Sequence, residues 1–453
     1  MHLRITPRPR LDLKVCVVAS QLDPVEPRHA LVIAYHFPPC QGSSGLQRPL
    51  SLLKYLPQHG WTPIVLSAHP RAYTQLDSRL LVQVPASVSV TRAMAFDTAR
   101  HLSLKGRYVA WMAYPDRWVS WLLGAIPSGL RLIWIYRPKV IWSTYPISTA
   151  HLIGFLLHKL TRVPWVADFR DPMTEGELGS ADQHPTDAIT WKVRRWLERL
   201  IVLNCTKLVF VAPGALSMYQ KRYPEVPASR WMLISNGYDE ESFITAERLI
   251  AETREESTRL LLLHSGLLYA EVGDRNPSLF FAALANLRQA GKVDASSLRV
   301  VLRASGHDDL YRGLICEKGL DDMVFLEPSI SYIDALAEML RADGLVLVQG
   351  SVSNPNIPAK LYEYLRARRP IFALTDEKGD TAAVLRSAKV GTLASLDSVS
   401  SIELGLEKFL YQLRNKTAAI ATDQEIKSYS RESKVRELAE LFNSLLEKQP
   451  RRK

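Results

Sequence analysis

The chain has 453 residues, of which 47% are hydrophobic and 23% are charged. Its length excludes a single ordinary domain and predicts two or three, and its composition is that of a soluble globular protein. The formal net charge of +11 suits nucleic acid, a negatively charged membrane surface or phosphorylated substrates. No nucleic-acid-binding motif accompanies this charge, so we do not expect a nucleic-acid partner.

The four cysteines are widely spaced, at Cys16, Cys40, Cys205 and Cys316. This spacing predicts reduced thiols in a cytoplasmic protein and no metal site. We expect no signal peptide and no transmembrane helix, because no sufficiently long uncharged apolar run is present. The segment WVSWLLGAIPSGLRLIWIY (118–136) comes closest. It predicts either a helix that docks on a bilayer surface or a buried core helix.

Short apolar runs rich in Val and Ile alternate with helical patterns along the chain. The strand-like runs are 30–35, 63–68, 139–144, 164–169, 207–212, 259–266, 298–306, 323–328, 344–350 and 370–374. A further strand is expected near 231–235, before the turn of the segment LISNGYDEESF. Continuous apolar strands that alternate with helices predict parallel sheets covered on both faces. The sequence therefore predicts an α/β protein with two Rossmann-like, doubly wound domains that face a cleft.

The polar stretch DEESFITAERLIAETREESTR separates the two sets of strands and has the composition of a linker. The predicted parts are an N-terminal extension (1–28), a first domain (29–240), a second domain (258–422) and an amphipathic helix with a basic tail (423–453). Because open parallel sheets bind ligands at the carboxyl ends of their strands, the cleft between the domains is the predicted active site.

Two groups of candidate residues follow strands of the first domain. The loop after the first strand contains Gly42, Ser43, Ser44 and Gly45. Such a loop before a helix can bind a phosphate or sugar oxygen, or it can simply form a turn. Asp168, Arg170 and Asp171 come at the end of the run 164–169. They predict either a carboxylate that contacts a hydroxyl group in the cleft or an Arg–Asp structural pair.

The second domain offers a glycine and two arginines at corresponding positions. Gly266 ends its first strand, Arg275 precedes a helix start, and Arg303 lies near the end of another strand. A strand-end arginine beside a helix start complements a diphosphate, although either arginine could equally lie on the surface.

The segment NIPAKLYEYLRARRP (356–370) opens a helix with Pro358 and carries Lys360 in its first turn. Proline suits this position, whereas a cation there is mildly repelled by the positive end of the helix. Two explanations are open. Lys360 pairs with Glu363 one turn later, or the helix start and the lysine together bind an anion.

Taken in order, five segments resemble the family 4 glycosyltransferases of the GT-B fold. They are YHFPP with GSSGLQRPLSLLKYLPQHGWTPIVLSA, VADFRDP, ISNGYDEESF, HSGLLY with RNPSLFFAAL, and IPAKLYEYLRARRPIFAL. The likeness runs from about residue 30 to about residue 420 and is strongest to the bacterial enzymes that build exopolysaccharide and surface glycans. It implies an acceptor-binding first domain, a second domain that holds a nucleotide-sugar, and a C-terminal helix that crosses back onto the first domain.

The resemblance also implies an activity. Such enzymes transfer a sugar from a nucleoside-diphosphate donor, here expected to be a UDP-sugar, to a lipid-linked or polysaccharide acceptor. They work without a metal ion or other cofactor and usually retain the anomeric configuration. With the basic charge and the Trp-rich segment, this predicts a cytoplasmic protein that can bind the anionic inner face of a membrane.

The resemblance assigns roles to individual residues. Lys360 and Leu361 stand at the helix start that binds the donor diphosphate, and Glu363 matches a glutamate that binds the ribose hydroxyls. Arg275 aligns with the family's basic phosphate ligand. The loop 42–45 matches the loop under the donor phosphates, and Gly266 and Arg303 are further donor-binding candidates. Asp168 and Asp171 are the catalytic candidates, because they lie where the family has a polar residue near the reacting sugar.

The chain departs from the family pattern at two positions. Pro355 stands where the family has a first glutamate, eight residues before Glu363, and Leu267 follows Gly266 where a basic residue is usual. Two other interpretations therefore stay open. One is a non-catalytic nucleotide- or glycan-binding protein on the same fold, and the other is a sugar-nucleotide epimerase.

Overall fold

The computed structural model describes residues 28–42, 44–174, 188–251, 259–268 and 276–447. The strands of these ranges are β1 (Arg28–Ile33), β2 (Trp61–Ala68), β3 (Ser89–Ala93), β4 (Val140–Thr144), β5 (Trp165–Phe169), β6 (Lys207–Phe210), β7 (Trp231–Leu233), β8 (Leu260–Ser265), β9 (Leu298–Arg303), β10 (Val324–Glu327), β11 (Gly344–Gln349), β12 (Ile371–Thr375) and β13 (Thr392–Ala394). Apart from Arg28, the predicted N-terminal extension lies outside the described residues.

Helices alternate with these strands. They are α1 (Gln47–Tyr55), α2 (Thr98–His101), α3 (Leu122–Tyr136), α4 (Ser148–Thr161), α5 (Ala188–Asn204), α6 (Pro213–Arg222), α7 (Glu240–Ala251), α8 (Ser278–Gln289), α9 (Asp308–Glu317), α10 (Tyr332–Arg341), α11 (Lys360–Ala367), α12 (Asp380–Ser387), α13 (Val399–Arg414), α14 (Asp423–Ser428) and α15 (Arg431–Glu447). This alternation is that of an α/β protein.

The strands form two sheets in which all the neighbours run parallel. The first sheet has the order β3-β2-β1-β4-β5-β6-β7, and the second has the order β10-β9-β8-β11-β12-β13. In each sheet the order reverses beside the first strand of that domain, so β1 pairs with β2 and β4, and β8 pairs with β9 and β11. The predicted pair of Rossmann-like, doubly wound domains is confirmed.

All ten apolar runs predicted as strands form strands, and the strand expected near 231–235 is β7. The prediction omitted β3 and β13, which are edge strands of the two sheets. β3 is partly exposed along most of its length, and β13 has only three residues. An edge strand needs no continuous apolar run, because one side of it has no neighbouring strand, so the pattern that revealed the central strands is missing there.

Each sheet is covered on both faces. One face of the first sheet packs against α1 and α15, as the shared core of Val32 and Phe442 shows, and the other packs against α3, α4, α5 and α6, with Ile141 in contact with the cluster around Ile153. The second sheet lies between α8, α9 and α13 on one face and α10, α11 and α12 on the other. The carboxyl ends of both sets of strands consequently meet at the cleft.

The C-terminal segment crosses back to the first domain, as predicted. It forms two helices instead of one, α14 and α15, and α15 lies against α1. The rings of Trp61 and Phe442 are 5.3 Å apart, and Asn443 Oδ1 accepts hydrogen bonds from Trp61 Nε1 and from Arg28, each at 3.1 Å. Residues 448–453 of the predicted basic tail lie outside the described residues.

The stretch predicted as a linker is largely helical. Its first part forms α7, which packs on α10 of the second domain. Phe243 and Ala246 face that core, and Arg366 of α11 bonds Glu240 and Glu247 at 2.5–2.9 Å. Because few residues of this stretch are buried and many are charged, its composition indicated a linker. Residues 252–258 lie outside the described residues.

Candidate functional site

A cavity of about 330 Å³ lies between the two sheets. Gly266, Lys360 and Glu363, all predicted donor-binding residues, line its second-domain wall. Arg48 of α1 and Arg431 of α15 belong to the opposite wall. The topology explains why the first group meets there: Gly266 follows β8, α11 follows β11, and these strands are neighbours where the strand order reverses. Open α/β sheets bind their ligands at such a point.

The ammonium group of Lys360 lies at the end of β8. Its Nζ is 3.1 Å from Nε2 of His264, and a Cβ atom on Gly266 would come within 3.1 Å of the same Nζ. Gly266 has a φ of +100°, a conformation that favours glycine. Burial, followed by the charge of Lys360, holds the pKa of His264 well below its usual range. The neutral imidazole can therefore accept a hydrogen bond from the ammonium and hold it at the start of α11.

Glu363 lies one turn further along α11. Its Oε1 accepts a hydrogen bond of 2.8 Å from the hydroxyl of Tyr332. Loss of hydration raises the pKa of Glu363, and the charge of Arg431, the Tyr332 hydroxyl and the charge of Lys360 oppose this shift. A carboxylate in this position can accept hydrogen bonds from two vicinal hydroxyls, as carboxylates do in dinucleotide sites.

The first-domain wall rests on a buried ion pair. Arg48 donates from Nε to Oδ2 of Asp168 at 2.6 Å, and its terminal nitrogens donate to the carbonyls of Ile234 and Ser235 at 3.0 and 3.2 Å. Asp168 is fully buried and is not among the residues that line the cavity. The expected cleft-facing position of Asp168 is therefore corrected. Its geometry is that of the alternative, an Arg–Asp structural pair, with Arg48 as the arginine.

Arg170 is the residue of the motif RDP that reaches the cavity. Burial lowers the pKa of Arg170, and the charges of Asp171 and Asp168 oppose the shift. Burial, followed by the charge of Arg170, lowers the pKa of His36 to about 4, so this imidazole is neutral at physiological pH. Asp171 is partly exposed and is not among the residues that line the cavity.

A buried carboxylate that the sequence did not reveal fixes the loop after β5. Glu198 of α5 accepts hydrogen bonds from the hydroxyls of Tyr219 and Tyr223, each at 2.6 Å, and from Thr174 at 3.0 Å. The Tyr219 hydroxyl also accepts a bond of 2.9 Å from the backbone N–H of Met173. This network holds the chain that follows Arg170 against α5 and α6.

The predicted loop 42–45 lies beside the cavity and does not line it where it is described. Gly42 is exposed with a φ of +80°, and Ser44 and Gly45 begin a short 3-10 turn that leads into α1. Ser43 lies outside the described residues. This geometry agrees with the turn alternative, and contact between the loop and donor phosphates stays a prediction.

Arg303 and Leu361 are not among the residues that line the cavity. Arg303 donates two hydrogen bonds to Glu338, at 2.7 and 2.9 Å, and lies 3.6 Å from Glu327, so acids of its own domain already match its charge. Leu361 is fully buried in the core. Arg275 lies outside the described residues.

The sequence reasoning missed Arg48, Tyr332 and Arg431. A signal for two of them existed. Arg48 is the second residue of α1 and Arg431 is the first residue of α15, just as Lys360 is the first residue of α11. A cation in the first turn is unfavourable for the helix alone, and this misfit is what drew attention to Lys360. All three such cations line the same cavity. Tyr332 had no comparable local signal.

Comparisons with known proteins agree with this architecture. No family model matches the sequence, and no curated protein matches it. Sucrose-phosphate synthase from Thermosynechococcus elongatus superposes with a TM-score of 0.65 at 14% identity, over 93% of this chain and 100% of that chain. WaaG, a glycosyltransferase involved in lipopolysaccharide biosynthesis, superposes with a TM-score of 0.54 at 13% identity, over 91% of this chain and 99% of that chain.

The chain has the GT-B fold. A proposed UDP-N-acetylglucosamine 2-epimerase from Listeria monocytogenes also superposes, with a TM-score of 0.54 at 10% identity over 94% of this chain and 98% of that chain. At such identities the likeness establishes the fold and leaves the activity to be argued from the site. In the ranges that the structure describes, no group of three or more His, Cys, Asp or Glu side chains is placed to hold a metal ion. Transfer without a metal stays a prediction.

Proposed function

We propose that this protein is a glycosyltransferase that moves a sugar from a nucleoside-diphosphate donor, a UDP-sugar, to a lipid-linked or polysaccharide acceptor. The observation that carries the proposal is the meeting of Gly266, Lys360 and Glu363 in one cavity at the point where the second sheet reverses its strand order. The GT-B fold shared with glycosyltransferases supports it.

In this proposal the chemistry depends on stabilising the leaving group. The bond between the anomeric carbon and the diphosphate oxygen breaks, and negative charge develops on the diphosphate. Lys360 and the N-terminal end of α11 stabilise that charge. The acceptor hydroxyl bonds to the anomeric carbon and gives its proton to the departing phosphate oxygen, with retention of configuration and without a metal ion. Glu363 binds the ribose hydroxyls and fixes the donor.

We further propose that the acceptor is reached at an anionic membrane surface on the inner face of the membrane. Residues 98–167 contain nine Lys or Arg and a single acid, Asp116, which is buried. Among the described residues, Val119–Tyr136 forms the one helical stretch long and apolar enough to cross a bilayer, and 22% of it is buried. A largely buried core helix, one of the two alternatives for this segment, is thus excluded.

One side of α3 exposes apolar side chains to solvent. Leu123, Leu130 and Trp134 are 72%, 36% and 80% exposed and recur at helical spacing, so they form one stripe, and Arg131 is exposed beside it. Aromatic and aliphatic side chains next to cations suit the interface of a bilayer with anionic lipids.

Vesicle co-sedimentation at low salt tests the membrane proposal. The wild type should pellet with vesicles that contain phosphatidylglycerol, and the double variant Leu123→Ser, Trp134→Ser should stay in solution. The matched control is Leu404→Ser, Tyr411→Ser in α13, where the side chains are 70% and 66% exposed on the other domain. Pelleting of both double variants with the vesicles would contradict the proposed surface. Failure of the wild type to pellet would contradict it as well.

Thermal melting with UDP, GDP, ADP and CMP tests the donor site, because a ligand that binds only the folded protein raises its melting temperature. We expect UDP to raise it, and UDP-sugars to be turned over when a lipid-linked or polysaccharide acceptor is added. Binding without turnover would favour the binding-protein alternative, which Pro355 supports. Conversion of the donor in the absence of an acceptor would favour an epimerase.

A further inference from the structure

The first residue of the crossing helix enters the cavity from the side opposite Lys360. Arg431 donates from Nε to the carbonyl of Gly237 at 3.1 Å and from one terminal nitrogen to Oε1 of Gln47 at 2.7 Å. Its own backbone N–H donates to the carbonyl of Tyr238 at 2.9 Å. Its guanidinium is thus held in the cavity wall by neutral oxygen atoms of the first domain.

The charge of Arg431 acts on the second-domain wall. It is the largest influence that opposes the raised pKa of Glu363. Burial and the charge of Glu363 raise the pKa of Tyr332, and the charge of Arg431 opposes this rise too. Arg431 and Glu363 line the same cavity, so Arg431 can interact with an anion bound beside the predicted ribose site. Two other cations of the first-domain wall differ, because Arg48 bonds Asp168 at 2.6 Å and Lys434 bonds Glu437 at 2.7 Å. Their charges are already matched by carboxylates.

A nucleoside diphosphate carries more negative charge than one lysine can balance. A guanidinium offers several donors in a planar arrangement that fits phosphate oxygens better than a point charge does. We propose that Arg431 is a second ligand of the donor diphosphate, supplied by the crossing helix and facing Lys360. This inference rests on the proposed function, since it takes the cavity to be the donor site.

A consequence for the domains follows from the bonds of Arg431. The same side chain that contacts the diphosphate also holds α15 to Gln47 and to the turn at Gly237, so a bound donor would link the second domain, the crossing helix and the first domain. Donor binding would then slow the opening of the start of α15. In the free protein these contacts depend on the first domain alone.

Calorimetric titration of the full chain with UDP and with uridine tests the inference. Arg431→Gln should weaken UDP binding by roughly 10- to 100-fold, the range expected for one charge-assisted hydrogen-bond partner, and leave uridine binding unchanged. The affinity of Arg431→Lys for UDP should lie between those of Arg431→Gln and the wild type. The matched control is Arg436→Gln, five residues further along α15 at an exposed position, and it should bind both ligands as the wild type does.

Two titration results would overturn the inference. Equal weakening of UDP and uridine would mean that Arg431 only supports the fold, and unchanged UDP binding would mean that it is no ligand. Absence of nucleotide binding by the wild type would reject the proposed function itself, a result that differs from both. Hydrogen exchange provides a second measurement, because UDP should protect the amides at the start of α15 in the wild type and in Arg436→Gln. Protection that persists in Arg431→Gln would also count against the inference.

Discussion

Arg48 and Lys360 lie on opposite walls of the cavity, and different groups hold their charges. In the first-domain wall, Arg48 is bonded to the buried carboxylate of Asp168 and to two backbone carbonyls. In the second-domain wall, Lys360 contacts the neutral imidazole of His264 and lies over Gly266. A cation matched by a buried acid holds a fold together, whereas a cation held by neutral groups is suited to an incoming anion. Loss of the Arg48–Asp168 pair should therefore reduce stability, whereas loss of Lys360 should reduce activity.

The largest expected effect breaks the first wall. Asp168→Ala leaves the guanidinium of Arg48 largely buried without its carboxylate, and breaking such a pair costs about 3–5 kcal/mol of the free energy of unfolding. Calorimetric melting would show this as a clear drop in transition temperature. Asp397→Ala, at an exposed position, is the control and should change the stability by no more than about 0.5 kcal/mol. An Asp168→Ala protein of normal stability but without turnover would instead support the catalytic role predicted for Asp168.

The second wall is tested by Lys360→Ala. If Lys360 stabilises the charge that develops on the diphosphate, turnover should fall by about 10²–10³-fold, the effect of removing one preorganised donor. The melting temperature without ligand should fall much less than that of Asp168→Ala, since the Lys360 ammonium contacts the neutral imidazole of His264. Lys408→Ala, on an exposed face of α13, is the matched control. Wild-type turnover of Lys360→Ala would contradict the assignment.

The same contrast explains what the sequence could reveal. Gly266 comes directly after β8, and α11, which carries Lys360 and Glu363, is the first α-helix after β11. The apolar runs of those strands were visible because both faces of each strand are covered. The meeting of these three residues therefore followed from the α/β pattern. Arg48 and Arg431 come from opposite ends of the chain, and the bond between Gln47 and Arg431 joins residues 384 positions apart. No local pattern carries such a contact, and only the misfit of a cation in a first helical turn hinted at it.

The fold shows the same limit. The central strands were predicted because each has a continuous apolar run, and the edge strands β3 and β13 were missed because neither has one. The helix α7 was taken for a linker, since its interior contacts come from Phe243, Ala246 and the pairing of Arg366 with two glutamates over a distance of more than 100 residues. Contacts with residues distant in the sequence therefore stabilise a helix in a stretch whose composition is polar.

Substitution of Glu363 is expected to have a smaller effect, and it should change nucleotide binding and stability in opposite directions. Glu363→Gln should weaken UDP binding by roughly tenfold, since a charged acceptor for the ribose hydroxyls is lost. Without ligand, the free energy of unfolding of Glu363→Gln should be higher than that of the wild type near neutral pH. The pKa of Glu363 is raised in the folded protein, so the folded state binds this proton more tightly than the unfolded state, whose value is about 4.5. Stability from this group is complete below pH 4.5 and is lost as the pH rises through the folded value.

Melting curves of Glu363→Gln and the wild type across the pH range measure this difference. The two proteins should melt alike near pH 4, and the variant should become relatively more stable as the pH rises toward neutrality, because glutamine carries no charge to desolvate. A gap that is constant with pH would mean that Glu363 is well hydrated in the folded protein, and it would remove Glu363 from the partly dehydrated second wall.

The smallest effect concerns a contact that joins the domains away from the cavity. Oδ2 of Asp380, at the start of α12, accepts a bond of 2.6 Å from the backbone N–H of Gly214, near the start of α6 in the first domain. A carboxylate that caps a helix contributes about 0.5–2 kcal/mol, so Asp380→Ala should lower the melting temperature slightly and loosen the cleft. Asp380→Asn keeps an oxygen acceptor and should resemble the wild type. Small-angle scattering should show a larger radius of gyration for Asp380→Ala alone. If neither variant differs from the wild type, the walls are held together by the crossing helix and by the Arg431 contacts, and the cap at Gly214 contributes nothing to closure.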